Sequence, residues 1–230
     1  MKARTTVAAL SLLLVLAASC DRASDAAPAS PSDATPQPLP EGRTLESGTY
    51  AIELDGHQIA FDLPSGWEGF GYGVFPSREG AGPPTGRGVS FWLVDNIYAN
   101  PCRWDEGLLD PPPKPSADAL ADALKTQWGG DATQPTTGSL NGNTAIEMDL
   151  TVPPDLDLGT CARNQGEHYF LYWPQRVGGG RYTQGPGQRE HLWILDLDGA
   201  RLVVDASSFP KTSPEARTEL WDIVTSVRVT

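Results

Sequence analysis

The sequence predicts an α+β fold, an antiparallel β-sheet with amphipathic helices packed on it. Three observations carry that expectation. Two segments alternate apolar and polar residues around an Asp-Gly pair, the pattern of a hairpin closed by a two-residue turn. Two others repeat apolar residues every three or four positions behind a capping serine, the pattern of a surface helix. Finally, 24 glycines and 21 prolines in 230 residues make up about a fifth of the chain against a usual ~12%. A chain so rich in loops is not a helical bundle.

Lys2 and Arg4 open the chain, an apolar run follows from Val7 to Leu16, and Ala17, Ala18 and Ser19 precede Cys20. A basic start, a short apolar stretch and a small-residue cleavage site form an export signal over residues 1–19. Its apolar run is too short to span a bilayer, which takes ~20 residues. Leu16-Ala17-Ala18-Ser19-Cys20 also resembles a bacterial lipobox, in which the cysteine is diacylated and becomes the new N-terminus. The departure is Ala17 three positions before the cysteine, with leucine one step early. Residues 20–47 are mostly Ala, Ser, Pro and Asp, with little to bury, and read as a disordered tether behind the lipidated cysteine. A single domain over 48–230 is therefore expected on the extracytoplasmic side, held to the cell membrane by its anchor.

Within that domain, Thr49 to Leu63 alternates around Asp55-Gly56. Pairing across the turn sets Tyr50, Ile52 and Leu54 opposite Phe61, Ile59 and His57 on an apolar face. Thr49, Ala51 and Glu53 meet Asp62, Ala60 and Gln58 on the other. Val89–Val94, Ala145–Thr151 and His168–Trp173 read as three further strands. A second hairpin runs from His191 to Ser207 around Asp198-Gly199, with Asp196 opposite Arg201. Both of its faces are partly apolar, so its strands belong at the centre of a sheet covered on both sides. One helix covers Ser116–Trp128, with Ala117, Leu120, Ala121, Leu124 and Trp128 on its stripe. The other opens at Ser213-Pro214-Glu215, with cap, N1 proline and first-turn acid. Its stripe is Ala216, Leu220, Ile223, Val224 and Val227. Residues 76–87, 101–115, 153–166 and 175–188 read as long loops.

Lipidation of Cys20 leaves Cys102 and Cys161, which outside the cytoplasm most simply form one disulfide. By the chain-entropy argument a loop of that length contributes about 4 kcal/mol. A formal net charge of −12 argues against nucleic acid as the partner, because backbone phosphates are repelled. The chain carries no Gly-x-Ser-x-Gly, no His-Glu-x-x-His and no P-loop. His57, His168 and His191 are spread along it; a hydrolase would use His191, with Asp205 and Ser207 on the same hairpin, or His168. Asp155/Asp157 and Asp196/Asp198 lack the alternating oxygen ligands and late glutamate of a calcium loop. No catalytic residue, metal or cofactor is expected.

The lipobox, the tether, the hairpin ending Leu63-Pro64-Ser65-Gly66-Trp67 and the closing helix running into Ser226-Val227-Arg228-Val229 resemble a family. They are similar to actinobacterial lipoproteins with a Mog1/PsbP-like domain, of the LpqN/LpqT type. The resemblance implies an antiparallel sheet sandwiched by helices, in proteins regarded as non-catalytic interaction or assembly modules. It carries over no site residue.

The aromatic and arginine residues of the loops supply the binding candidates. Tyr98, Arg103 and Trp104 lie near Cys102, Arg163 near Cys161, Tyr172 in a strand, and Arg181 and Tyr182 in a Gly-rich loop. Gathered by the disulfide, they would offer a surface for a sugar, an anionic glycolipid or a partner peptide. The competing reading is that Trp67, Trp92, Trp193 and Trp221 are core and the loop aromatics staple loops to the sheet. The expected function is a lipid-anchored envelope module that binds an unidentified protein, or carries or senses a small molecule or headgroup. A hydrolase is the remote alternative.

Overall fold

The computed structural model describes residues 35–76, 82–128, 131–175 and 180–230. The export signal, Cys20, the start of the tether and the side chain of Trp128 lie outside the described residues.

The chain joins its fold earlier than the expected boundary at 48. β1 (Gln37–Pro38) lies parallel to β2 (Gly48–Leu54). Beyond it, the Leu39 N–H donates to the Ala51 carbonyl at 2.9 Å and the Leu45 N–H to that of Trp67 at 2.7 Å. Leu45 is buried and Leu39 packs against the core. The expected tether therefore ends short of this segment, because its leucines find apolar partners and its backbone completes two sheet edges. Where the strap crosses β4 (Trp67–Phe70) it needs a bare backbone, since a Cβ at Gly69 would lie 2.2 Å from the Pro40 carbonyl oxygen.

β2 and β3 (His57–Leu63) pair in the register the alternation dictates, with Tyr50 opposite Phe61, Ile52 opposite Ile59 and Leu54 opposite His57. Asp55 and Gly56 both adopt positive φ at the turn, as a type I′ hairpin requires. These strands and β15 (Arg228–Val229) form a four-stranded sheet in the order β1-β2-β3-β15. The remaining long strands form a second sheet rather than extending the first. After Gly66 the chain turns away into β4, β5 (Gly73–Pro76) and β6 (Arg87–Leu93). They are followed by α1 (Ala117–Trp128), β7 (Thr136–Leu140) and β8 (Asn143–Thr151). β13 (Arg189–Leu197) and β14 (Ala200–Ser208) complete the seven-stranded order β4-β5-β6-β14-β13-β8-β7. The class is α+β, with mostly antiparallel sheets and two α-helices among the described residues.

The central hairpin β13–β14 is covered on both sides, as its two apolar faces require. Trp193, Leu195, Leu202 and Val204 face the four-stranded sheet and α2 (Pro214–Thr225). Leu192, Ile194 and Val203 face α1 and the loops joined by the Cys102–Cys161 disulfide. Ser213 caps α2 by accepting the Ala216 N–H at 3.2 Å. Ser116 caps α1 by accepting the Ala119 N–H at 3.3 Å, and Asp196 adds a second acceptor for the Ala117 N–H at 2.8 Å.

Three local expectations are corrected. The segment 168–173 is not one strand: β10 (Glu167–His168) pairs with β9 (Arg163–Asn164), and β11 (Leu171–Pro174) pairs with β12 (Gly180–Tyr182) in a separate ribbon. The loops 153–166 and 175–188 are thereby partly strand. Trp221 is 46% exposed rather than core, since one step along a helix from Leu220 rotates it about 100° off the buried stripe. It lies against Trp193 and His191, with ring centroids 5.0 and 5.1 Å away.

Candidate functional site

The residues singled out from the sequence divide into two places. Around the disulfide, the Trp104 indole donates to the Tyr169 carbonyl at 3.1 Å and packs edge-on against Tyr98 at 6.3 Å. Burial raises the pKa of the half-buried Tyr98 phenol above its ordinary value. Arg103 is exposed and pairs with Glu106 at 3.2 Å, while Arg163 donates to the Gly166 carbonyl at 3.0 Å. This group ties loop to loop. Arg181, Tyr182 and Tyr172 belong to the β11–β12 ribbon, which lies over the far end of the seven-stranded sheet.

Arg181 is the centre of that second place. Its side chain descends from β12 onto the sheet, where Nε donates to Asp205 at 2.5 Å and Nη2 to Glu190 at 2.8 Å. The three side chains belong to residues only 7%, 1% and 0% exposed for Arg181, Glu190 and Asp205. The guanidinium stands over the Tyr172 ring at 5.4 Å, and the Tyr172 hydroxyl donates to Glu190 at 2.9 Å. Gln188 adds a second donor to the same Glu190 oxygen at 2.7 Å. Ser90 bonds Asp205 at 3.3 Å and accepts the Trp92 indole N–H at 2.7 Å.

One cation faces two buried carboxyls, so charge balance places a proton on one of them. Burial pushes the Glu190 pKa well above the usual range; Arg181 opposes the rise and Asp205 adds to it. Burial also opposes the Arg181 charge, but Asp205 and Glu190 more than offset this and hold it protonated. The Tyr172 phenol is likewise pushed well up, by burial and by Glu190. The Oδ1 atom of Asp205 is buried without a hydrogen-bond partner.

Above this network lies a cleft of about 510 Å³, within the range of small-molecule sites. Its walls come from the β4–β5 hairpin, β6 and the ribbon. Phe70, Tyr72, Trp92 and Tyr182 supply aromatic surface, and Gln175, Gln184 and Ser207 supply neutral polar groups. Phe70 is 64% exposed at its mouth, unusual for so large an apolar side chain. Gly73 and Gly88 leave the floor bare, and a Cβ at either would lie 3.0 Å from a strand carbonyl oxygen. Tyr72, Trp92 and Gln175 separate the cleft from a cavity of about 160 Å³ that reaches the β2–β3 turn.

Sequence reasoning found Arg181, Tyr182 and Tyr172 but not their partners. The available signal was an acid on an apolar face: Glu190 aligns with Leu192 and Ile194, and Asp205 with Val203. The imagined grouping of His191 with Asp205 and Ser207 does not form. His191 projects from the other face of the sheet, where its Nδ1 meets Asp149 at 2.7 Å. That contact, ahead of the opposing effect of burial, lowers the Asp149 pKa. His168 Nδ1 meets the Cys161 carbonyl at 2.5 Å. Among the described residues no three His, Cys, Asp or Glu side chains converge as a metal site, and no helix is long and apolar enough to cross a membrane.

No protein-family model matches the chain, and no curated protein matches it. Among solved structures, the cyanobacterial PsbP (CyanoP) of Synechocystis sp. PCC 6803 is similar at 14% identity and a TM-score of 0.33, covering 80% of this chain and 92% of its own. A protein of Bacteroides thetaiotaomicron is similar at 9% identity and a TM-score of 0.33, over 75% of this chain. The match spans 45% of the Bacteroides chain, less than half its length. The class, an α+β domain with a cleft over a buried ion network, rests on the described residues themselves.

Proposed function

We propose that this chain is an exported, lipid-anchored module of the cell envelope, of the Mog1/PsbP-like lipoprotein type, that binds a small ligand and performs no reaction on it. The observation that carries the reading is the aromatic cleft of about 510 Å³ beneath Phe70 and Tyr182. A concave, mostly aromatic cleft of this size with a few neutral polar groups has the form of a small-molecule site. The buried network of Arg181, Glu190 and Asp205 supports the reading, because it fixes the ribbon that forms one wall. The engagement of His191 and His168 away from Ser207 supports binding over catalysis.

Mass spectrometry of the full-length protein, purified in mild detergent from its own membranes, tests this directly. The denatured mass is expected to begin at Cys20 and to carry its acyl chains. The native mass is expected to show a stoichiometric non-covalent adduct. A bare native monomer from intact envelopes would contradict ligand binding, and an unmodified Cys20 would contradict the anchor.

A further inference from the structure

We propose that the ligand of the cleft is a neutral sugar, bound through its ring faces and hydroxyls, and not an anion. The proposal rests on the reading of the cleft as a ligand site and adds the chemical class.

Both arginines that reach the cleft have their charge spent within the protein. Arg87 donates to Glu219 at 2.9 Å and stacks on Trp67 at 5.4 Å. Arg181 is held by Asp205 and Glu190, two acids to one cation. An anion entering the cleft meets no uncompensated positive charge and lies near buried carboxyl groups, so its desolvation is not repaid. A neutral ligand avoids that cost.

The walls then favour one kind of neutral ligand. Aromatic rings carry negative faces, which suit the weakly positive C–H faces of a pyranose. Phe70 and Tyr182 offer such surfaces at the mouth, and Tyr72 and Trp92 offer them deeper. A purely apolar ligand would leave Gln175, Gln184 and Ser207 facing hydrocarbon. Amide and hydroxyl side chains both donate and accept, as sugar hydroxyls do. The bare floor at Gly73 and Gly88 lets a ring approach the backbone closely.

The test is a tryptophan-fluorescence titration of the full-length chain with maltotriose, chitotriose and mannotriose, alongside a galacturonic acid trimer and inositol hexakisphosphate. At least one neutral trisaccharide is expected to saturate the signal with an affinity that changes less than about twofold between low and high salt. Phe70→Ala and Tyr182→Ala, both at exposed positions, are expected to weaken it about tenfold with thermal stability unchanged. Salt-sensitive, tighter binding of either anionic probe would overturn the proposal, as would neutral-sugar binding indifferent to both substitutions. If no sugar binds while a native adduct of another class is lost in Gln184→Trp, the sugar assignment falls and the ligand site stands. If no sugar binds and no adduct depends on the cleft, both fall.

Discussion

The two faces of the seven-stranded sheet are built from alternate residues of the same strands, yet they are covered differently. One face meets the β2–β3 hairpin and α2, each with a continuous apolar side. Its interior is hydrocarbon: Phe61 stacks on Phe91 at 5.0 Å, and Ile223 and Val224 close over Val204. The opposite face has two coverings. Under α1 it is apolar, with Leu120 and Leu124 over Ile194 and Val203. Beyond α1 the cover is the β11–β12 ribbon, whose first strand buries Tyr172 and Trp173 in the apolar cluster while its second strand brings in a charge. There Arg181 replaces hydrocarbon and the sheet answers with Glu190 and Asp205. An ion network fixes orientation through directed bonds at the expense of desolvation. Where the ribbon stops, the cleft remains.

That contrast can be broken from either side. The largest expected effects are of similar size and opposite character. Phe91→Ala should cost about 3–5 kcal/mol in denaturant unfolding at any pH, because it opens a cavity in hydrocarbon. Arg181→Met should also cost about 3–5 kcal/mol near neutral pH, because it strands two buried carboxyls. Its deficit should shrink as pH falls, since Glu190, whose pKa burial raises, then sheds the charge that Arg181 balances. A pH-independent Arg181→Met deficit would show that the network is not ionic. Removing the disulfide by Cys102→Ser with Cys161→Ser should cost about 4 kcal/mol on the chain-entropy estimate, with the loops over this face losing hydrogen-exchange protection first.

A finer effect concerns Glu190. Its folded pKa is raised by burial, so folding retains a proton that the unfolded chain releases above the ordinary glutamate range. The associated stability is fully present below about pH 4 and is lost as pH rises toward the folded value, by up to about 1.4 kcal/mol per pH unit. Glu190→Gln should remove that slope. Asp149 works in the other direction: its lowered pKa contributes stability above the ordinary aspartate range that is lost as pH falls through the folded value. His191→Ala should remove that acid-side loss and leave the Glu190 slope in place. The smallest expected change is Gln184→Trp at the exposed rim, within about 0.5 kcal/mol of wild type, with the native adduct lost.

Legibility in the sequence followed the range of the interactions. Asp55-Gly56 fixes its hairpin locally, so Tyr50–Phe61 and Ile52–Ile59 could be paired from alternation alone. The two-sided burial of β13–β14 was legible for the same reason. The division into two sheets was not, because the turn after Leu63 says that the chain leaves but not where it docks. Leu39 and Leu45 looked too sparse to order a Pro-rich segment, and only the sheet edges beside them supply the missing bonds. The cleft was half legible. Arg181 and Tyr182 stood out by composition, but Glu190, Asp205, Ser90 and Trp92 come from three strands that meet only in the folded sheet. Sequence reasoning grouped Trp104 and Arg163 with Arg181, while the fold puts the first two in the disulfide staple.

The most direct test of the cleft is an amide NMR titration of the full-length chain with the best-binding neutral trisaccharide. Shifts gathered at Gly71, Gly73, Gly88, Gly180 and Tyr182, with the amides around Trp104, Arg163 and Trp221 unmoved, are the expected result. Shifts centred on the disulfide loops or on the Trp193–Trp221 face, or no shifts at saturating sugar, would contradict the account.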